Sequence, residues 1–106
     1  MENLDQEEWQ QGSDAKDAVI IDVRSAEECE EGIVKGAQIL DIYRADEFMK
    51  ALESLDKSKE YYLYCRSGNR SGQACMIMES RGFTKTYNLS GGILEWEEEL
   101  VEPQKT

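Results

Sequence analysis

The segment Ala18-Val19-Ile20-Ile21-Asp22-Val23 constrains the fold most. It is a short apolar run, rich in β-branched residues, with one carboxylate near its end. A strand with one wet face would alternate apolar and polar residues, so this run predicts a strand buried on both faces of a parallel sheet. Parallel strands need crossovers, usually helical, and the rest of the chain supplies them.

Asp5 and Glu8 stand at capping-box positions, with Leu4 and Trp9 at staple spacing, which predicts a short opening helix ending in the loop Gly12 to Asp14. A strand before it is expected to be missing or minimal. Ser25 and Glu28 repeat the capping signal for a brief helix that Gly32 stops. Gln38-Ile39-Leu40-Asp41 follows as a second short strand. Phe48, Ala51, Leu52 and Leu55 fall at helical spacing within 45–55, and Tyr61-Tyr62-Leu63-Tyr64 reads as a third strand. A helix is expected from Ser71 towards Arg81, closed by Gly82-Phe83, and then a strand from Thr84 to Leu89. Ile93, Trp96 and Leu100 predict a final helix ended by Pro103. These alternating elements give an α/β class: a three-layer α/β/α domain with a central parallel sheet of about four to five short strands and helices on both faces.

With 106 residues the chain fits one domain, residues 1–106 with a core over about 4–102. Lys and Arg number 12 against 23 Asp and Glu, and the net charge of -11 argues against nucleic acid as a partner. No stretch reaches the ~18 apolar residues that span a bilayer, so no membrane association is expected. Cys29, Cys65 and Cys75 are an odd set without CxxC spacing, a poor basis for disulfides or a zinc site, and a reducing, cytoplasmic location is the simpler expectation. No metal or organic cofactor is expected. The chain has 0 histidines. Cysteine chemistry here must proceed without imidazole.

Cys65 stands at the end of a strand and before a helix, where open α/β sheets bind ligands. The loop Cys65-Arg66-Ser67-Gly68-Asn69-Arg70 holds two arginines, a glycine for close approach and no carboxylate. Helix-start amides and adjacent arginines lower a cysteine pKa and cradle an anion, so the loop predicts a thiolate at Cys65 and a small anionic substrate. Cys75, among apolar helix neighbours, and Cys29, flanked by Glu28, Glu30 and Glu31, read as packing residues. Asp22 and Arg24 read as a structural ion pair, Gly91-Gly92 as a turn, and the acidic run Glu95 to Glu99 as a solvated face.

Three segments together resemble the rhodanese family, over nearly the whole chain. Asp22-Val23-Arg24 with Glu27, Gly32 and Gly36-Ala37 looks like its first signature, Cys65 to Ser71 like its active-site loop, and Leu89-Ser90-Gly91-Gly92 with Trp96 like its C-terminal signature. The resemblance implies a sulfurtransferase in which Cys65 takes a sulfane sulfur from thiosulfate or a related donor, forms a persulfide, and passes the sulfur to cyanide or a thiol. On this reading Arg66, Ser67, Gly68, Asn69, Arg70 and Ser71 bind the substrate, and Asp22 and Arg24 support the loop. The partners are then a small anionic sulfur donor and a thiol or cyanide acceptor, with a protein acceptor as the variant in which the chain is a persulfide carrier. Where the family usually has a histidine after the signature glycine, this chain has Ile33.

A cysteine-dependent phosphatase or arsenate reductase on the same fold is the other enzymatic alternative. Such a loop places its arginine six positions after the cysteine, whereas here that position is Ser71 and the arginine is Arg70. The shorter loop suits a single sulfur atom.

Overall fold

The computed structural model describes residues 1–103. In chain order it contains β1 (Glu2–Leu4), α1 (Gln6–Ser13), β2 (Val19–Asp22), α2 (Ala26–Cys29), β3 (Gln38–Ile39), α3 (Ala45–Glu53), β4 (Tyr61–Tyr64), α4 (Asn69–Ser80), β5 (Thr86–Leu89) and a 3-10 turn at Ile93–Glu95. The five strands form one sheet in the order β1-β5-β4-β2-β3, parallel at every pairing. The expected α/β architecture is present, with apolar clusters on both faces of the sheet.

Strand β4 is the hub, and all four of its residues are buried. Successive strand residues point to opposite faces, so Tyr61 and Leu63 go one way and Tyr62 and Tyr64 the other. The first pair joins Ile21, Val23, Phe48, Leu52, Ala74, Cys75, Met78 and Phe83, which places α3 and α4 on that face. The second pair joins Trp9, Val34 and Leu89, with Ile93 and Trp96 packed alongside, which places α1 and the 3-10 turn on the opposite face. Trp9 is fully buried, meets Tyr62, Tyr64 and Trp96 edge-on at 5.7–5.9 Å, and donates its indole N–H to the Leu63 carbonyl at 3.1 Å. Truncating such a residue costs about 3–5 kcal/mol.

The capping signal at Ser25 acts as read, and the one at Asp5 forms half of its box. Asp5 accepts from the Glu8 amide, and Ser25 and Glu28 form a reciprocal capping box. The N-terminal strand is minimal, 3 residues long, with β1 paired to β5 and Leu4 opposite Leu89. Three expectations are corrected. The final helix does not form beyond the turn at Ile93–Glu95, because Trp96 is already extended and Val101 makes an antiparallel bridge to Ile33. Its last turn would also have gathered Glu97, Glu98 and Glu99 at the negative end of a helix dipole. Helix α1 continues through Gly12, where an added Cβ would lie 2.3 Å from the Tyr62 hydroxyl. Helix α4 begins at Asn69, two residues before the expected Ser71. Residues 104–106 of the expected domain lie outside the described residues, and among the described residues no helix is long and apolar enough to cross a membrane.

Candidate functional site

Cys65 follows the last residue of β4 and carries the chain off the carboxyl edge of the sheet. The turn is made by Gly68, whose φ of +98° starts α4 and whose added Cβ would lie 2.4 Å from the Ser90 carbonyl oxygen. Only glycine meets both demands cheaply. As a result the Gly68 N–H donates to Cys65 Sγ at 3.1 Å, and the Ser71 hydroxyl, one turn into α4, lies 3.3 Å from the same sulfur. The Ile93 and Leu94 amides clamp the other side, donating to the carbonyls of Cys65 and Arg66 at 2.9 and 3.1 Å. Gly92 makes that approach feasible, since a Cβ there would sit 2.3 Å from the Arg66 carbonyl.

Burial opposes ionisation of Cys65, yet its pKa is lowered. Hydrogen bonds from the Ser71 hydroxyl and from the backbone amides of Ser71, Gly68 and Ser67 outweigh the burial. The other two thiols have no such ring of donors. Burial pushes Cys29 and Cys75 up to about 12 each, with Asp22 adding to the rise at Cys29 and the Thr86 hydrogen bond opposing it at Cys75. All three cysteines are free and buried, so donors rather than depth distinguish them.

The two loop arginines differ. Arg66 is exposed and lines a shallow groove of about 500 Å³ with Glu28, Glu31, Leu94 and Leu100. Arg70, read from the sequence as an unneutralised cation, instead grips Glu28 with both guanidinium arms at 2.7 and 2.8 Å and lies over the Tyr43 ring at 5.3 Å. These bonds hold the Glu28 carboxyl down at about 2. Glu28 is 42 residues away in sequence, and the capping box at Ser25 is what aims it. Ser67 and Asn69 lie exposed on the outer side of the loop, and Ser71 is fully buried beneath it.

Asp22 and Arg24 form the expected ion pair, buried and closed at 2.7 Å. The remaining reach of Arg24 goes to the Gly32 carbonyl at 2.7 Å, and its guanidinium covers Tyr64 at 5.6 Å. Tyr64 in turn accepts the Val34 amide. The pair therefore braces the segment after α2, and no hydrogen bond from either side chain runs to the 65–71 loop. Sequence reasoning missed Asn88, whose amide donates to the Gly68 carbonyl. A polar residue at a buried strand position was the available signal.

Residues 5–99 match the rhodanese-like domain family. This chain belongs to that family. YtwF of Bacillus subtilis, which is named as a sulfurtransferase, is 42% identical over 80 residues, covering 76% of this chain and 74% of that protein. A protein of Allochromatium vinosum named sulfurtransferase is 32% identical over 84 residues, 79% of this chain and 76% of its own length. The crystal structure of a rhodanese-like domain protein from Staphylococcus aureus superposes with a TM-score of 0.84 at 27% identity, covering 98% of this chain and 100% of that one. The rhodanese fold is thus shared across the described length, from β1 to the bridge at Val101.

Proposed function

We propose that this protein is a sulfurtransferase that carries one sulfur atom as a persulfide on Cys65. The observation that carries the reading is the convergence of the Gly68 amide and the Ser71 hydroxyl on a thiol whose pKa is lowered, in a chain with no histidine to act as base. Family membership and the sulfurtransferase from Allochromatium vinosum point the same way. Both apolar clusters rest on one sheet, which supports reading the chain as one domain.

The reaction balances without a cofactor. The Cys65 thiolate attacks the outer sulfur of thiosulfate, a sulfur–sulfur bond forms at Sγ, and sulfite leaves with the electron pair of the donor's broken bond. An acceptor nucleophile, cyanide or a thiolate, then attacks the outer sulfur and Sγ departs as a thiolate. The amides of Ser67 and Gly68 hold the outer sulfur's charge, with Asn69 on the loop's outer side. Arg66 presents the open cation to the anionic donor, and Arg70, its charge shared with Glu28, contributes less. Cys65 is 0% exposed, so donor and acceptor reach the sulfur only through local movement of the residues around it. Donors that meet at a single atom, rather than around a wider bowl, favour sulfur over a tetrahedral phosphate.

The test is thiosulfate:cyanide turnover by wild type and Cys65→Ser, with aryl phosphate hydrolysis in parallel. Thiocyanate formation lost in Cys65→Ser is the expected result. Folded, reduced wild type that makes no thiocyanate contradicts the small-molecule reaction and leaves transfer to a protein acceptor. Cys65-dependent phosphate release contradicts sulfur transfer altogether.

A further inference from the structure

Asn88 sits on β5 level with Leu63 of β4 and Asn3 of β1. Its residue is almost fully buried, and each polar atom of its side chain is engaged. The amide nitrogen donates to the Gly68 carbonyl and to Asn3 Oδ1, both at 2.9 Å. Those bonds use both amide protons and fix which way the group faces, so Oδ1 is an acceptor. The Ser71 hydroxyl lies 2.5 Å from it. The same hydroxyl lies 3.3 Å from Cys65 Sγ. A hydroxyl has one proton to donate, so Asn88 Oδ1 and Cys65 Sγ compete for a single hydrogen bond.

The charge on sulfur decides the competition. A thiol or a disulfide-type sulfur is a weak acceptor, and an amide oxygen outcompetes it. A thiolate accepts a charge-assisted bond about twice as strong as a neutral one, and outcompetes the amide. We propose that Asn88 is a positioning residue acting through Ser71: it takes the Ser71 proton's hydrogen bond while Sγ is neutral and releases it to Sγ whenever that sulfur is a thiolate. The inference rests on Cys65 as the sulfur carrier, because under that reading Sγ changes charge twice per cycle. As the attacking thiolate it holds the Ser71 bond. Once the persulfide forms, the charge sits on the outer sulfur, Sγ is a neutral divalent atom, and the hydroxyl turns to Asn88. When the acceptor takes the outer sulfur, the pair of the broken bond returns to Sγ and the hydroxyl turns back. The hydroxyl keeps its proton throughout; only its acceptor changes.

Other charges near the sulfur are accounted for by element. Arg66 and Arg70 belong to its own loop and the start of α4, Glu28 of α2 pairs with Arg70, and Asp22 and Arg24 close on each other at the end of β2. The Ser71–Asn88 bond is a neutral contact between α4 and β5.

The experiment is the pH dependence of Cys65 alkylation by iodoacetamide, resolved by peptide mass, in the full chain and in Ser71→Ala, Asn88→Ala and the double variant. Ser71→Ala is expected to raise the Cys65 pKa by about one unit, the size of a lost charge-assisted bond. Asn88→Ala is expected to lower it by about half a unit, because the neutral thiol loses the arrangement that favoured it. In the Ser71→Ala background the Asn88 substitution should shift nothing. Ser71→Thr keeps a hydroxyl and should keep the wild-type value, and Asn3→Ala, which cuts the Asn88–Asn3 bond and leaves those to Ser71 and Gly68, should change stability alone. If Asn88→Ala fails to fold, Asn88→Val, which suits a strand and has no acceptor, takes its place. A raised Cys65 pKa in Asn88→Ala, or an equal shift with and without Ser71, overturns the proposal. Thiocyanate turnover of the same preparations separates the two readings: no thiocyanate from wild type with the coupling intact sinks the small-molecule transfer reaction and leaves the hydrogen-bond competition standing.

Discussion

Replacing Glu28 by Gln tests whether Arg70 is held in reserve by its partner. Gln can still accept from the Ser25 amide, so the capping box survives and the charge alone is removed. The pair is a two-armed fork at 2.7 and 2.8 Å, but the side chains keep 16% and 31% of their surface in water. Screening at that exposure limits its worth to about 1 kcal/mol, well short of a fully buried pair. The Glu28 carboxyl titrates at about 2 in the folded chain against its usual 4.5. A depressed folded value means stability that is fully present above the unfolded pKa and lost as pH falls through the folded one. Urea unfolding should therefore show Glu28→Gln less stable by about 1 kcal/mol near neutrality, with the gap closing between 4.5 and about 2. In the same variant Arg70 is free to meet an anionic donor. The KM for thiosulfate should fall about threefold, an effect that fades with salt, while an uncharged trisulfide donor should gain nothing. A stability gap that persists unchanged at acid pH, or a raised KM for thiosulfate, refutes the reasoning and makes Glu28 an orienting partner for Arg70 instead.

Gly68→Ala combines a left-handed backbone with a contact of 2.4 Å to the Ser90 carbonyl, and should cost about 3 kcal/mol in urea unfolding as well as alkylation selectivity at Cys65. Arg24→Ala leaves the fully buried Asp22 without its partner, and a loss of about 3–5 kcal/mol is expected by thermal or chemical unfolding. Brief iodoacetamide treatment near neutral pH should label Cys65 alone, because Cys29 and Cys75 are held near 12; a Cys29→Ala, Cys75→Ala double variant should label at the wild-type rate. Labelling of Cys75 at a comparable rate contradicts the electrostatic ordering.

The legible parts of this chain were those written in local chemistry. The run Val19 to Asp22, the capping box at Ser25 and Glu28, and Cys65 between a strand and a helix each announce themselves within a few residues. The sequence was least legible where a distant partner decides. Glu2 to Leu4 carries one large apolar residue, and its strand character comes from β5, more than 80 positions on, as the Leu4–Leu89 pairing shows. Ile93, Trp96 and Leu100 satisfy helical spacing, but the bridge from Val101 to Ile33 draws the chain out after the first turn. Separation along the chain also hid Glu28 from Arg70, 42 residues apart, and Asn88 from Ser71, 17 residues apart. Asp22 and Arg24 were legible as a pair, while their use in bracing Gly32 rather than the Cys65 loop depended on the packing of Tyr64.

The most direct test of persulfide transfer at Cys65 is the intact mass of the reduced protein after incubation with thiosulfate and removal of excess donor, followed by peptide mapping. The account predicts a gain of one sulfur atom, located on the peptide containing Cys65, absent from Cys65→Ser and discharged by added cyanide. A stable gain on Cys29 or Cys75, or a Cys65→Ser protein that loads as wild type does, contradicts it.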